Sequence, residues 1–232
     1  IPAIIALSRL PEPRTRLRCA ATLCKLAAFE ANVSLMVDEG VVSAFIDMLQ
    51  TGDQDIVKHC CVALCRLAHE GSSAVTITEG AVPKVIAGCG GESDPTTRIS
   101  CCAVLSAVSA HEPCRRPLCA MGTLEPLISL ARDRGADDTT RLRCAVAFAN
   151  LSHEPAVQGE MVTAGVVPVV AELSNSYCEE NQLYCARALC NLGCHSGSEQ
   201  AIVEQGGVTA LMMICMVRAV SHFTKQICAK AI

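Results

Sequence analysis

The side chains with most chemical reach in this sequence are its 17 cysteines and 6 histidines. Four histidines, His69, His111, His153 and His195, recur at an interval of 42, and the first three precede Glu70, Glu112 and Glu154. A histidine beside a carboxylate is a pairing that general acid–base chemistry uses. Their even repetition argues for a plainer role. Helices packed in successive units lie about 10 Å apart, beyond shared coordination or direct proton transfer. A histidine near the end of a helix suits the helix dipole when charged. Cys190-x-x-x-Cys194-His195 and His59-Cys-Cys61 bring soft ligands close together, without the two-plus-two spacing of a structural zinc site. Cys178, beside a polar turn, is open to oxidation of a generic kind. Gly88-Cys-Gly-Gly91 lacks the Lys-Ser/Thr ending of a phosphate-binding loop and leads into Glu92 and Asp94, so it reads as a turn. Neither a Gly-x-Ser-x-Gly elbow nor a His-Glu-x-x-His pair is present. The expectation is a protein that is not an enzyme, with no catalytic residue, metal, cofactor or small-molecule substrate.

What positions these side chains is a repeat. The stretch Cys144–Glu154 (Cys-Ala-Val-Ala-Phe-Ala-Asn-Leu-Ser-His-Glu) has counterparts led by cysteines at 19, 60, 101, 185 and 228, in steps of 41, 41, 43, 41 and 43. Self-similarity at that period marks a solenoid, whose core grows along an axis. Eleven cysteines fall in the repeated helix: Cys19, Cys24, Cys60, Cys61, Cys65, Cys101, Cys102, Cys144, Cys185, Cys190 and Cys228. Other copies carry Ala20, Ser106, Ala145 and Ala149 at such places, so cysteine acts there as a small apolar residue, reduced and without a disulfide framework.

Each full unit has three parts. A short helix ends in glycine, at Gly40, Gly80, Gly122, Gly165 and Gly206, where a left-handed backbone would close it. A second helix restarts at once, with Pro83, Pro126 or Pro168 in its first turn and helical apolar spacing such as Val41, Val42, Phe45, Ile46 and Leu49. After a polar turn comes the long third helix. The predicted units are 1–30 (partial), 31–70, 71–112, 113–154, 155–197 and 198–232 (partial). Residues 1–232 thus read as one array, opening on Ile1-Pro-Ala-Ile-Ile and ending mid-pattern at Ala229-Lys-Ala-Ile232. The expectation is an excerpt of a longer array, since end repeats usually carry polar outer faces.

A unit of about 42 residues with this helix–Gly–helix–helix plan resembles the armadillo repeat. Phe148-Ala-Asn-Leu-Ser152, Leu189-Cys-Asn-Leu-Gly193 and the Gly165-Val-Val-Pro168 turn carry the resemblance most closely, and it spans essentially the whole chain. It implies an all-α fold, a right-handed superhelical solenoid of stacked three-helix repeats whose third helices line a concave groove for extended peptides. It also implies that the third-helix Asn bonds the partner's backbone. Lys25, Arg66, Ala107, Asn150 and Asn191 hold that place here. Members that read basic localisation signals add a Trp one turn earlier. This chain has none, and Arg187 puts a like charge there, so that mode is not expected.

Steps of four, seven and eleven residues back from the Asn place stay on one helix face. They reach Arg14, Arg18 and Lys25; Asp55, His59 and Arg66; Thr96 and Ser100; Thr139, Arg143 and Asn150; Glu180, Tyr184, Arg187 and Asn191. The predicted partner-binding residues are Arg14, Arg18, Lys25, His59, Arg66, Arg143, Asn150, Tyr184, Arg187 and Asn191. The face is most positive at its start although the chain carries −4 overall, which favours extended or helical segments with acidic residues at one end. Aromatic platforms for single-stranded bases are missing, so nucleic acid is not expected. The apolar run Ala210–Val217, followed by Arg218, is too short to span a membrane. The leading expectation is a noncatalytic, cytoplasmic protein-interaction scaffold. A structural part of a cytoskeletal assembly such as the ciliary or flagellar axoneme is a second, and an armadillo module of a larger enzyme or motor-associated protein a third.

Overall fold

The structure, a computed structural model, describes residues 1–217 and 220–231; Arg218, Ala219 and Ile232 of the last predicted unit lie outside the described residues. Among the described residues every regular element is helical, and the chain divides into two compact units, Ile1–Met121 and Gly122–Ile232. The first holds α1 (Pro2–Ser8), α2 (Pro13–Leu26), α3 (Val33–Asp38), α4 (Val41–Leu49), α5 (Gln54–Leu67), α6 (Gly71–Gly80), α7 (Val82–Gly88), α8 (Pro95–Ser109) and α9 (Glu112–Ala120). The second holds α10 (Leu124–Arg132), α11 (Asp138–Leu151), α12 (Pro155–Thr163), α13 (Val166–Leu173), α14 (Glu179–Gly193), α15 (Glu199–Glu204), α16 (Gly207–Met216) and α17 (His222–Ala231).

In the first unit the long helices stack side by side, α2 on α5 and α5 on α8, with α4 and α7 packed behind them. The second unit repeats this plan, with α11 on α14, α14 on α17, and α10, α13 and α16 behind. Apolar spacing explains the packing. Val41, Val42, Ala44, Phe45, Met48 and Leu49 of α4 are buried, as are Cys60, Cys61, Ala63, Leu64 and Leu67 of α5. In the second unit Val166, Val167, Val169, Val170 and Leu173 of α13 meet Cys185, Ala188, Leu189 and Leu192 of α14 in the same way. Small side chains on the third helices let neighbouring backbones approach closely.

Carboxylates start three of the long helices, α5, α8 and α11. Asp53 accepts from Ile56 N, Asp94 from Thr96 N and Thr97 N, and Asp137 from Thr140 N, each filling an otherwise unpaired donor of the first turn. The hydrogen bonds from Thr96 and Thr97 hold Asp94 well below the usual carboxylate range, and those from Thr140 lower Asp137 likewise.

Four of the five marker glycines adopt the left-handed backbone, with φ of 76° at Gly40, 79° at Gly122, 81° at Gly165 and 84° at Gly206. Gly80 departs from the expectation. It lies inside α6, and a Cβ there would sit 2.7 Å from Ile46 Cδ1 and 3.2 Å from Ile46 Cγ2. Glycine is needed at this position so that α4 can approach α6, and the helix stops one residue later at Ala81. Gly88 plays a related part in the Gly88–Gly91 turn, since a Cβ on it would stand 2.6 Å from Cys101 Sγ.

A second regularity holds the turns. Arg16 Nε donates to Leu10 O, Asn32 Nδ2 to Leu26 O, Arg115 Nε to Ser109 O, Gln158 Nε2 to Ser152 O and Gln182 Nε2 to Ser176 O. In each case a side chain reaches the carbonyl six residues back, satisfying an acceptor at the end of the preceding helix or turn. The residue six beyond the end of α5 is Ser73, whose buried hydroxyl has no partner.

Candidate partner-binding face

With α5 flanked by α2 and α8 and backed by α4, one stripe of each third helix in the first unit is left open. On α2 that stripe carries Arg14, Arg18 and Lys25, all exposed. Among the described residues none of the three side chains makes a hydrogen bond or ion pair. On α5 it carries exposed Asp55 and half-buried His59 and Arg66. Arg66 Nη1 donates to Cys24 O at 3.2 Å, which anchors the guanidinium to the C-terminal end of the neighbouring third helix, next to Lys25 in the chain. On α8 Thr96 is exposed, but Ser100 is buried and turns its hydroxyl back to Thr96 O at 2.8 Å. Its short side chain can reach its own helix, so Ser100 leaves the face expected for it. On the two stripes of α2 and α5 the charged residues are thus Arg14, Arg18, Lys25 and Arg66 with Asp55, and Arg66 also lines a pocket with Glu30 and Glu70.

In the second unit the open stripe of α11 carries exposed Thr139 and half-buried Arg143 and Asn150. The Arg143 Nε is buried without a partner, and the Arg143 charge adds to the lowering of Asp137 after the Thr140 hydrogen bonds. On α14 Glu180 is exposed, and Arg187 lies over the Tyr184 ring with its guanidinium carbon 5.9 Å from the centroid. Asn191 Nδ2 donates to Ser152 Oγ at 3.0 Å, and Ser152 Oγ in turn donates to Ala149 O. Part of the Asn191 amide is thus spent on the preceding repeat rather than presented outward, because a hydroxyl stands within its reach. The same register on α17 is filled by exposed Phe223, half-buried Ile227 and exposed Lys230. Counting back from the Asn place does not reach them, because the last copy stops before that place, yet the shared cysteine register of Cys185 and Cys228 gives their positions directly.

The recurring histidines are structural connectors where their partners are seen. His111 Nε2 lies 2.6 Å from Ala68 O, at the C-terminus of α5. As a donor there it satisfies an acceptor of the preceding repeat, and His195 Nδ1 pairs locally with Ser198 Oγ at 2.8 Å. The thiols pack. Cys61 Sγ lies 3.7 Å from Cys101 Sγ, and the hydrogen bond to Cys101, then burial, pushes Cys61 and Cys89 up. Among the described residues no three His, Cys, Asp or Glu side chains are grouped to hold a metal ion. No single described helix is long and apolar enough to cross a membrane.

Comparison with known proteins agrees with this geometry. Residues 29–69 match the family model of the armadillo/beta-catenin-like repeat. No curated protein matches the chain. Among solved structures, a designed armadillo repeat protein is similar at a TM-score of 0.86 with 16% identity, over 99% of this chain and 97% of that one. A set of computationally designed armadillo repeat proteins for modular peptide recognition gives 0.88 and 16%, again over 99% and 97%. A further designed armadillo repeat protein, solved in complex with the peptide (KR)4, gives 0.85 and 15% over the same shares. Residues 29–69 are thus an armadillo repeat, and the chain as a whole has the armadillo-repeat fold.

Proposed function

We propose that the chain is a noncatalytic protein-interaction scaffold that binds extended or helical partner segments along the open face of its third helices, with acidic residues of the partner held in the first unit. The observation that carries this reading is the row of exposed, unpaired Arg14, Arg18 and Lys25 beside anchored Arg66. A designed armadillo repeat protein of the same fold was solved in complex with (KR)4, a basic peptide. The cations of the present face would repel such a peptide and pair with carboxylates instead. His59 lies on the same face of the first unit; in the second unit Arg143, Asn150, Tyr184, Arg187 and Asn191 form the corresponding face, which would contact partner segments of its own. The test is charge reversal on the exposed helix: Arg14→Glu, Arg18→Glu and Lys25→Glu together. A fluorescein-labelled glutamate-rich peptide should bind the wild-type chain and lose about tenfold or more in affinity with the triple variant. Unchanged affinity would overturn the reading.

A further inference from the structure

The second unit has a concave site apart from the open face. A cleft of about 480 Å³ lies between the turn joining α10 to α11 and the turn joining α13 to α14. Arg132, Arg134 and Arg141 line it, with Asp138, Glu172 and Tyr177, and no open-face residue of α11 or α14 does. Arg132 spends its charge on Glu172 at 3.3 Å. Among the described residues the side chains of Arg134 and Arg141 make no hydrogen bond or ion pair, and Tyr177 is wholly exposed at 106%. Asp138 stands in the first turn of α11, where the helix N-terminus favours its charge.

The free guanidinium groups and the exposed ring point toward a ligand. An unpaired guanidinium is a fork that matches a carboxylate in two-point geometry. Two such forks in one cleft ask for two carboxylates. A fully exposed tyrosine leaves a broad apolar ring face in water, and rings of this kind beside arginines dominate the energetics of protein interfaces. The charges of the walls, three arginines against Asp138 and Glu172, sum to only +1. That balance suits singly charged carboxylates spread along a chain better than a compact dianion. The turns themselves are tied down, since Gln182 Nε2 donates to Ser176 O and Cys178 N to Ser176 Oγ, so the ring sits on a braced support.

We infer that this cleft is a docking site for a protein segment bearing two adjacent acidic residues beside an apolar one. The carboxylates pair with Arg134 and Arg141, and the apolar side chain lies on the Tyr177 ring. This site is separate from the one proposed for the open face, and either can fail without the other.

The chain supplies its own reporter, because it has no Trp and 2 Tyr. In a Tyr184→Phe background Tyr177 is the sole tyrosine, and its emission reads the cleft. The probe is a peptide with two adjacent glutamates followed by leucine, titrated beside its glutamine counterpart and beside inorganic phosphate. Saturable change in Tyr177 emission is expected with the glutamate peptide alone. Arg134→Glu with Arg141→Glu should weaken it about tenfold or more, and Asp138→Asn should strengthen it about two- to threefold. Equal response to the glutamine peptide would overturn the inference, as would unchanged affinity in the double variant. A response to phosphate without one to the peptide would also overturn it, in favour of a small-anion site. Loss of binding with Arg14→Glu and Arg18→Glu instead would place the peptide on the open face and overturn the cleft.

Discussion

Gly80 offers a sharp test of the packing, because two opposite effects meet at one Cβ. Alanine is favoured over glycine inside a helix by about 1 kcal/mol, so Gly80→Ala at an open helical site would stabilise α6. Here the added carbon would lie 2.7 Å from Ile46 Cδ1 and 3.2 Å from Cγ2. Forcing a methyl into such a contact costs about 1–3 kcal/mol in displaced side chains. The net expectation is destabilisation of about 1 kcal/mol. Ile46→Val removes Cδ1, the nearest clashing atom, and costs about 0.5–1.5 kcal/mol alone. In that background the nearest remaining contact is the 3.2 Å one, which a small shift relieves, so adding Gly80→Ala should be neutral or slightly stabilising. The two substitutions should therefore couple by about 1–2 kcal/mol in a double-mutant cycle. The assay is urea denaturation followed by circular dichroism, comparing midpoints at unchanged slope. Stabilisation by Gly80→Ala in the wild-type chain, or strict additivity of the pair, would refute the close approach of α4 and α6.

Three further outcomes follow from the same geometry. Ser73→Ala should be neutral or stabilising by up to about 1 kcal/mol, since it removes a buried hydroxyl without a partner, whereas Gln158→Ala should cost about 1–3 kcal/mol by orphaning Ser152 O; urea midpoints compare them. A thiol reagent on the native protein should modify the exposed Cys178 and Cys194 first and leave buried thiols such as Cys60, Cys101 and Cys185 unmodified, while all 17 react in denaturant; early reaction at Cys101 or Cys185, read by mass spectrometry, would contradict their burial. Asp94 and Asp137 are depressed in the folded state, so the stability they contribute is present above the ordinary carboxylate value near about 4 and is lost as pH falls through their lower folded values. Asparagine keeps one acceptor oxygen at each cap but carries no charge and does not titrate, so Asp94→Asn with Asp137→Asn should lower neutral-pH stability and flatten the acid limb of a pH–midpoint curve.

Much of the scaffold is legible in the sequence because its signals are local and repeated. The cysteine-led third helices, the proline-started second helices and the left-handed glycines at 40, 122, 165 and 206 each depend on residues within one unit. What depends on a neighbouring unit is not legible. Gly80 shares its sequence context with the other marker glycines, and only Ile46 from the preceding repeat changes its role. The closures of the turns use Arg, Asn and Gln interchangeably, since a carbonyl needs a donor and not a particular side chain, so no residue pattern announces them. Asn191 matches the expected groove position, but its orientation is set by Ser152, 39 residues earlier. The Arg134–Arg141–Tyr177 cleft escapes sequence reading for a related reason: it exists only where the turns of two successive repeats meet.

A paired peptide titration asks whether the exposed cations of the first unit take acidic partner segments. A glutamate-rich peptide and a lysine–arginine peptide of equal length are titrated by fluorescence anisotropy at low and at physiological salt. The acidic peptide should bind, the added salt should weaken it, and the basic peptide should bind at least about tenfold more weakly. Preference for the basic peptide, or an acidic-peptide affinity that does not respond to salt, would contradict that expectation.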